Sequence, residues 1–328
     1  MTKLTLPRRD FLAMAGATLT ASAFPLVEAF GAEALNFGFQ ETSWGTVGMI
    51  CEAQGLFKKE KAPVHALHFS SGKDTRDAMI SGRIDMGIIG ATPFIVGAAK
   101  GQMEAIGLAL YGSKTLAVVA GLDKGINAVK DLKGHRVGSQ LGSATDYVFQ
   151  NKILPKAGLS KSDVQIVNVR FQNHVSALAA GSIDAFAGVE PFPSLAEVNK
   201  LGKVLTDYSP YDLQPVILAC STETVKKRRN DVVEFLRAWL DGVKLFKDDR
   251  DKATQIVLTY FEKKGFKVSD KVIKLMLSKI DVNPDFKPEL KEYLTRQSNV
   301  LMKGNKIAAV PDWDKLLNHK LLAEAQKS

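Results

Sequence analysis

Gly82-Arg83-Ile84-Asp85, with Gly90-Ala91-Thr92-Pro93-Phe94 behind it, is written a second time as Gly181-Ser182-Ile183-Asp184, with Gly188-Val189-Glu190-Pro191-Phe192 behind it. The likeness extends upstream of both copies. Ahead of the first stand a turn (Thr42-Ser43-Trp44-Gly45), a helix-like run to Gly55-Leu56-Phe57-Lys58 and a strand-like run over 64–69. Ahead of the second, in the same order, stand Gly142-Ser143-Ala144-Thr145, a run to Gly158-Leu159-Ser160-Lys161 and a strand over 164–169. Each copy reads strand, turn, helix, strand, turn, helix, strand, the order of a parallel-sheet α/β half. Ligands of such sheets sit outside the carboxyl ends of the strands. Two such halves facing each other predict two α/β lobes with one cleft between them.

The start of the chain reads as an address. Pro7-Arg8-Arg9-Asp10-Phe11-Leu12 precedes a small-residue apolar run over 13–23 and a cleavage-like Val27-Glu28-Ala29. Residues 1–32 are therefore expected to be a twin-arginine-type signal peptide, and the mature chain to be periplasmic. A membrane anchor is disfavoured, because a span needs about 20 strongly apolar residues and this run is diluted by Gly, Thr, Ser and Pro25. The remainder is long enough for two lobes with cores of their own. At 45% hydrophobic and 24% charged residues, the composition is that of a folded chain. The formal charge of +9 falls only by one without Lys3, Arg8, Arg9, Asp10 and Glu28. The excess is spread over helix faces, as in Lys226-Lys227-Arg228-Arg229, and no interleaving of aromatic and basic residues marks a nucleic-acid partner. Cys51 and Cys220 are the only cysteines. Export would permit a bridge, yet both stand in apolar runs, and two buried free thiols are expected.

Lobe one is expected over 33–120 and 216–328, and lobe two over 121–215. The first runs from a strand over 35–39 through an apolar strand over 116–120; the second opens with Lys130-Asp131-Leu132-Lys133-Gly134 and closes near 204–207. After another apolar strand over 215–219 the pattern turns helical to the end. Val232, Phe235, Leu236, Trp239, Leu240 and Val243 form a stripe on a helix over 231–247, and lobe one is its natural partner. The chain thus enters lobe one, leaves for lobe two and returns. Two strands crossing near Ala120 and Val216 would act as the hinge.

Four turns resemble helix starts aimed at the cleft. These are Thr42-Ser43 before a helix from Gly45, Ser70-Ser71-Gly72-Lys73-Asp74 before a helix from Thr75, Gly142-Ser143 before a helix from Ala144, and Phe171-Gln172-Asn173 before a helix through Val175. Free backbone N–H groups and the positive end of the helix dipole suit an anion such as a sulfonate, carboxylate, nitrate or phosphonate, and hydroxyls add donors. Each Ser, Thr or Asp would equally cap its own helix; the paired arrangement across two lobes favours binding. Glu190 stands where the first copy has Thr92. In the cleft its carboxylate would require a ligand amine or N–H donor, or a cation beside it; otherwise it caps the helix begun by Pro191. Trp44 and Phe192 are candidate walls of a small-molecule pocket, and His174, which aligns with Thr75, is a candidate contact. His65 and His68, three apart in a strand, face opposite ways and cannot chelate one metal ion. No phosphate loop, nucleophile elbow or carboxylate pair appears, so neither a cofactor nor catalysis is expected.

Phe69-Ser70-Ser71-Gly72, Ser81-Gly82-Arg83-Ile84-Asp85 with Gly90, Asp131-Leu132-Lys133-Gly134-His135-Arg136-Val137, Gly142-Ser143, and Gly181-Ser182-Ile183-Asp184 leading to Glu190-Pro191 together carry a resemblance. The chain resembles the periplasmic substrate-binding proteins of ABC importers, in the family that serves aliphatic sulfonates, taurine, nitrate and pyrimidine precursors of thiamine. The likeness covers nearly all of the mature chain. It implies a type II periplasmic-binding fold, two α/β lobes joined by two crossing strands. It also implies a monomer that takes a small organic anion or zwitterion into the cleft and hands it to a membrane permease with its ATPase. The family's binding positions fall here on Ser43, Trp44, Ser71, Gly72, Thr92, Gly142, Ser143, Thr145 and Glu190. The same fold houses pyrimidine synthases that use pyridoxal phosphate, which carry a Cys-rich motif and a cytosolic address absent here. A receptor feeding a sensor is the other alternative.

Overall fold

The computed structural model describes residues 34–327; the expected signal segment lies outside them. The described residues form two five-stranded sheets. In chain order the strands are β1 (Leu35–Phe39), β2 (Val64–His68), β3 (Met86–Gly90), β4 (Met103–Tyr111), β5 (Leu116–Gly121), β6 (Arg136–Ser139), β7 (Gln165–Asn168), β8 (Ala185–Val189), β9 (Gly202–Asp207) and β10 (Pro215–Ser221). One sheet runs β2-β1-β3-β10-β4 and the other β7-β6-β8-β5-β9. In each, four strands run one way and one, β10 or β5, runs antiparallel to both its neighbours. The inner strands β3, β5 and β8 are buried at every residue, as expected where helices cover both faces. The edge strands β2 and β7 are only partly covered.

The repeated residues play the same part in both sheets. Asp85 accepts the N–H of Asn36 at 2.8 Å and Asp184 that of Arg136 at 3.0 Å, so each carboxylate satisfies a donor near the start of the neighbouring strand. Arg136 also donates from its side chain to Asp184 at 2.8 Å, which holds that carboxyl below the usual carboxylate range. Ile84 lies over Gly38 and Ile183 over Gly138: a Cβ on either glycine would come within 2.8 or 2.7 Å of the isoleucine Cδ1. Gly82 and Gly181 turn the chain at φ +73° and +69°, a left-handed conformation that side chains resist. The Gly-x-Ile-Asp repeat is thus a device for joining helix to sheet.

One strand lies in the opposite lobe from that expected. The stretch over 116–120 reads as part of lobe one, but β5 pairs antiparallel with β8 and β9 in the second sheet. A buried apolar strand carries no mark of which sheet it joins, because its pattern is the same in either. The crossings therefore fall at residues 112–115 and 208–214 instead of at Ala120 and Val216. The two segments are tied to each other, Gly112 donating to Gln214 O at 2.8 Å and Tyr208 to Ser113 O at 3.2 Å.

The helix Arg229–Asp248 packs on the first sheet through its expected stripe. Phe235 lies 4.9 Å from Phe37 and stacks on Phe57 at 5.4 Å. The tail also reaches the second lobe, where Lys279, just after the helix Asp270–Ser278, pairs with Glu190. Cys51 and Cys220 are free and buried, and burial pushes both thiols up. No described helix is long and apolar enough to cross a membrane.

Candidate ligand-binding site

The carboxyl ends of the parallel strands converge on a narrow, nearly closed cavity of about 10 Å³, room for one water molecule. From the first lobe it is lined by Gln40, Thr42 and Trp44 after β1, Ser71 and Gly72 after β2, and Gly90 and Pro93 at and after the end of β3. From the second come Ser143, Ala144 and Thr145 after β6, Phe171 after β7, and Val189 at the end of β8. The six strands paired in parallel, β1, β2, β3, β6, β7 and β8, therefore all contribute, and at the end where α/β sheets hold their ligands.

Of the nine residues proposed from sequence, the structure brings Trp44, Ser71, Gly72, Ser143 and Thr145 to this cavity; Ser43, Thr92, Gly142 and Glu190 do not line it. Ser43 lies behind it, wholly buried, with its N–H on Glu190 O at 2.9 Å. Gly142 donates to Asp146 Oδ2 at 3.0 Å, and Thr92 sits within the helix Ala91–Ala98. The Glu190 carboxylate does not line the cavity, and each of its oxygens has a partner. Oε1 accepts from Lys279 Nζ at 2.5 Å, and Oε2 from the N–H of Ser194 at 3.1 Å, which caps the helix Phe192–Val198. Phe192 is not a wall of the cavity; Phe171 is. His174 is wholly buried, between Phe171 and Phe186, and makes its contact to Val169 O at 3.1 Å. Burial lowers its pKa to about 4.

The two serines cap their helices. Ser71 starts the helix Gly72–Ile80 and accepts the N–H of Asp74; Ser143 starts Ala144–Val148, which continues as helix to residue 156, and accepts the N–H of Asp146. The caps take the third amide of each helix, and the first two have no intrahelical acceptor. Asp74 and Asp146 stand in those first turns and offset part of each dipole. The Ser71 hydroxyl donates to Asp74 Oδ2 at 2.9 Å, so at these two helix starts the first-turn amides and the Ser143 hydroxyl are the donors that remain, in an otherwise largely apolar lining. Trp44 is fixed by its indole N–H on Thr115 Oγ1 at 3.1 Å, so the wall of the cavity is anchored to a crossing segment.

The lobes touch at the cavity. Gln140 Nε2 donates to Ser70 Oγ at 3.2 Å. A Cβ on Gly90 would stand 2.8 Å from Ala144 Cβ and 3.1 Å from Trp44 Cζ3, so only glycine permits this approach. Gln40, Gly90, Pro93, Ala144 and Val189 line the cavity without having been proposed as contacts, while Thr42 and Phe171 belong to two of the turns expected to face it. Their shared signal is position, each at or just past the end of a strand. Among the described residues no group of three or more His, Cys, Asp or Glu is placed to hold a metal ion.

Comparison with known proteins agrees with this architecture. A taurine-binding periplasmic protein of Escherichia coli is 31% identical over 184 residues, 55% of this chain and 55% of its own. A Bacillus subtilis protein provisionally named an aliphatic sulfonates-binding protein is 30% identical over 205 residues, 62% of this chain. The chain spans only 61% of that relative's own length. The solved alkanesulfonate-binding protein of Xanthomonas axonopodis pv. citri, bound to MOPS, superposes with a TM-score of 0.75 at 19% identity, covering 87% of this chain and 97% of that one. At that identity the likeness speaks for the fold, which is that of the periplasmic binding proteins. The NMT1/THI5-like family model matches residues 46–253, more than half of the sequence, and the chain belongs to that family.

Proposed function

We propose that the protein is the solute-binding component of an importer. It is exported to the periplasm, takes one small organic anion of the sulfonate class between its lobes, and presents the closed form to a membrane permease with its ATPase. The observation that carries this reading is the convergence of two helix starts on one cavity: Ser71 and Gly72 from one lobe, Ser143, Ala144 and Thr145 from the other. A ligand that touches both lobes stabilises the closed form, because only contacts that differ between two states shift their balance. Trp44 supplies an aromatic wall. Relatives named for taurine and aliphatic sulfonates support the sulfonate class, and their names are those of binding proteins, not of enzymes.

A thermal-shift panel of taurine, alkanesulfonates, nitrate and aminopyrimidines tests the reading. A ligand at a hundred times its dissociation constant stabilises by about 2.7 kcal/mol, and sulfonates are expected to give that response. Stabilisation by nitrate or an aminopyrimidine alone would move the substrate class, and product formation from any bound solute would replace the binding role with an enzymatic one.

A further inference from the structure

We propose that Gln40 makes this site selective for solutes that carry an N–H or O–H donor beside their anionic group; the inference rests on the cavity being the ligand site. Gln40 lines the cavity and is 3% exposed. Its Nε2 donates to Thr75 Oγ1 at 2.7 Å and to Ile88 O at 3.1 Å, which uses both of its protons. The Thr75 hydroxyl donates to Ser71 O at 3.1 Å and so accepts from Gln40, while Ile88 O is an acceptor in any arrangement. Turning the amide over would set its oxygen against the Ile88 carbonyl, so the orientation is fixed by the partners. Gln40 Oε1 is left buried and without a partner. An amide oxygen only accepts, and a sulfonate brings only acceptors. A solute that also carries a hydroxyl, amine or ring N–H satisfies the group that a plain alkanesulfonate leaves unpaired, and burying an unpaired acceptor is unfavourable. Glu190 does not fill this role, since it does not line the cavity and is held by Lys279 and the Ser194 N–H.

The test is calorimetric titration of wild type and Gln40→Met with ethanesulfonate, 2-hydroxyethanesulfonate and 2-aminoethanesulfonate, and with pyrimidine against 4-aminopyrimidine. Wild type is expected to bind the hydroxy or amino sulfonate about tenfold or more tightly than ethanesulfonate. In Gln40→Met that ratio should shrink to about threefold or less. A ratio within one variant cancels any general weakening, and Gln40→Leu is read in the same way if Gln40→Met does not fold. Equal binding of all three sulfonates by wild type overturns the role of Gln40 and leaves the anion reading standing, as does a preference that persists in Gln40→Met. Failure of the sulfonates with a preference for aminopyrimidine over pyrimidine does the reverse. Binding of none of the five overturns both.

Discussion

Replacing Gly90 by alanine tests how the lobes meet. The new Cβ would lie 2.8 Å from Ala144 Cβ across the cavity and 3.1 and 3.2 Å from two atoms of the Trp44 ring. Carbon contacts are comfortable at about 3.5–4.0 Å, so the facing surfaces must part by roughly 1 Å at this point. In a core with nowhere to go, overpacking of this kind costs about 1–3 kcal/mol. Here the clash with Ala144 falls on the closed form, and opening about residues 112–115 and 208–214 relieves it, whereas the Trp44 contacts lie within the first lobe and persist. Gly90→Ala is therefore expected to weaken the best solute about 5- to 150-fold, the same energy expressed as affinity. Melting of the ligand-free protein should fall by less than the affinity loss, through the Trp44 contacts alone, and solution scattering at saturating ligand should give a larger radius than wild type. An affinity within about twofold of wild type with an unchanged radius would refute the argument. A melting loss as large as the affinity loss would place Gly90 in a rigid core and not at a moving interface.

Lys279→Met leaves Glu190, 1% exposed, with only the Ser194 N–H, and should destabilise the protein by about 2–4 kcal/mol because a buried charge loses its partner. Adding Glu190→Gln should recover much of that in a chemical denaturation series, and a wild-type midpoint for the single variant would show the pair to be dispensable. His174, lowered by burial to about 4 from an ordinary 6.5, sets a pH dependence. As pH falls the unfolded chain takes up its proton first, so stability declines between about pH 6.5 and 4 and levels below, by on the order of 3 kcal/mol. His68, also lowered chiefly by burial, acts in the same direction, so the decisive quantity is the difference from His174→Gln. That variant should be flatter across the window, and parallel curves would contradict the assignment.

Much of this architecture was legible because it is repeated. Gly-x-Ile-Asp carries its own structural logic, and two copies announced two sheets with strand ends facing one cleft. Polar turn residues were legible for the same reason: Ser71 and Ser143 are chemically conspicuous at helix starts. What was not legible lacked local chemistry. Gly90, Ala144 and Val189 line the cavity through backbone and small side chains, and nothing in their identity marks a contact. The lobe of β5 is decided by pairing with β8 and β9, a long-range choice that its apolar run leaves open. Glu190 misled in the opposite way. A conspicuous carboxylate at a repeated position was met by Lys279, 89 residues away in the tail, and no reading of the turn alone could supply that partner.

Intrinsic fluorescence tests the central claim most directly. Trp44 is one of three tryptophans and the one that lines the cavity; Trp239 packs on Phe37 and Trp313 on Phe94, both away from it. Titrating wild type with the best sulfonate should give a saturable one-to-one change that vanishes in Trp44→Phe while calorimetry still detects binding by that variant. A change that survives in Trp44→Phe, or tight sulfonate binding that leaves wild-type fluorescence untouched, would contradict a ligand held between the lobes.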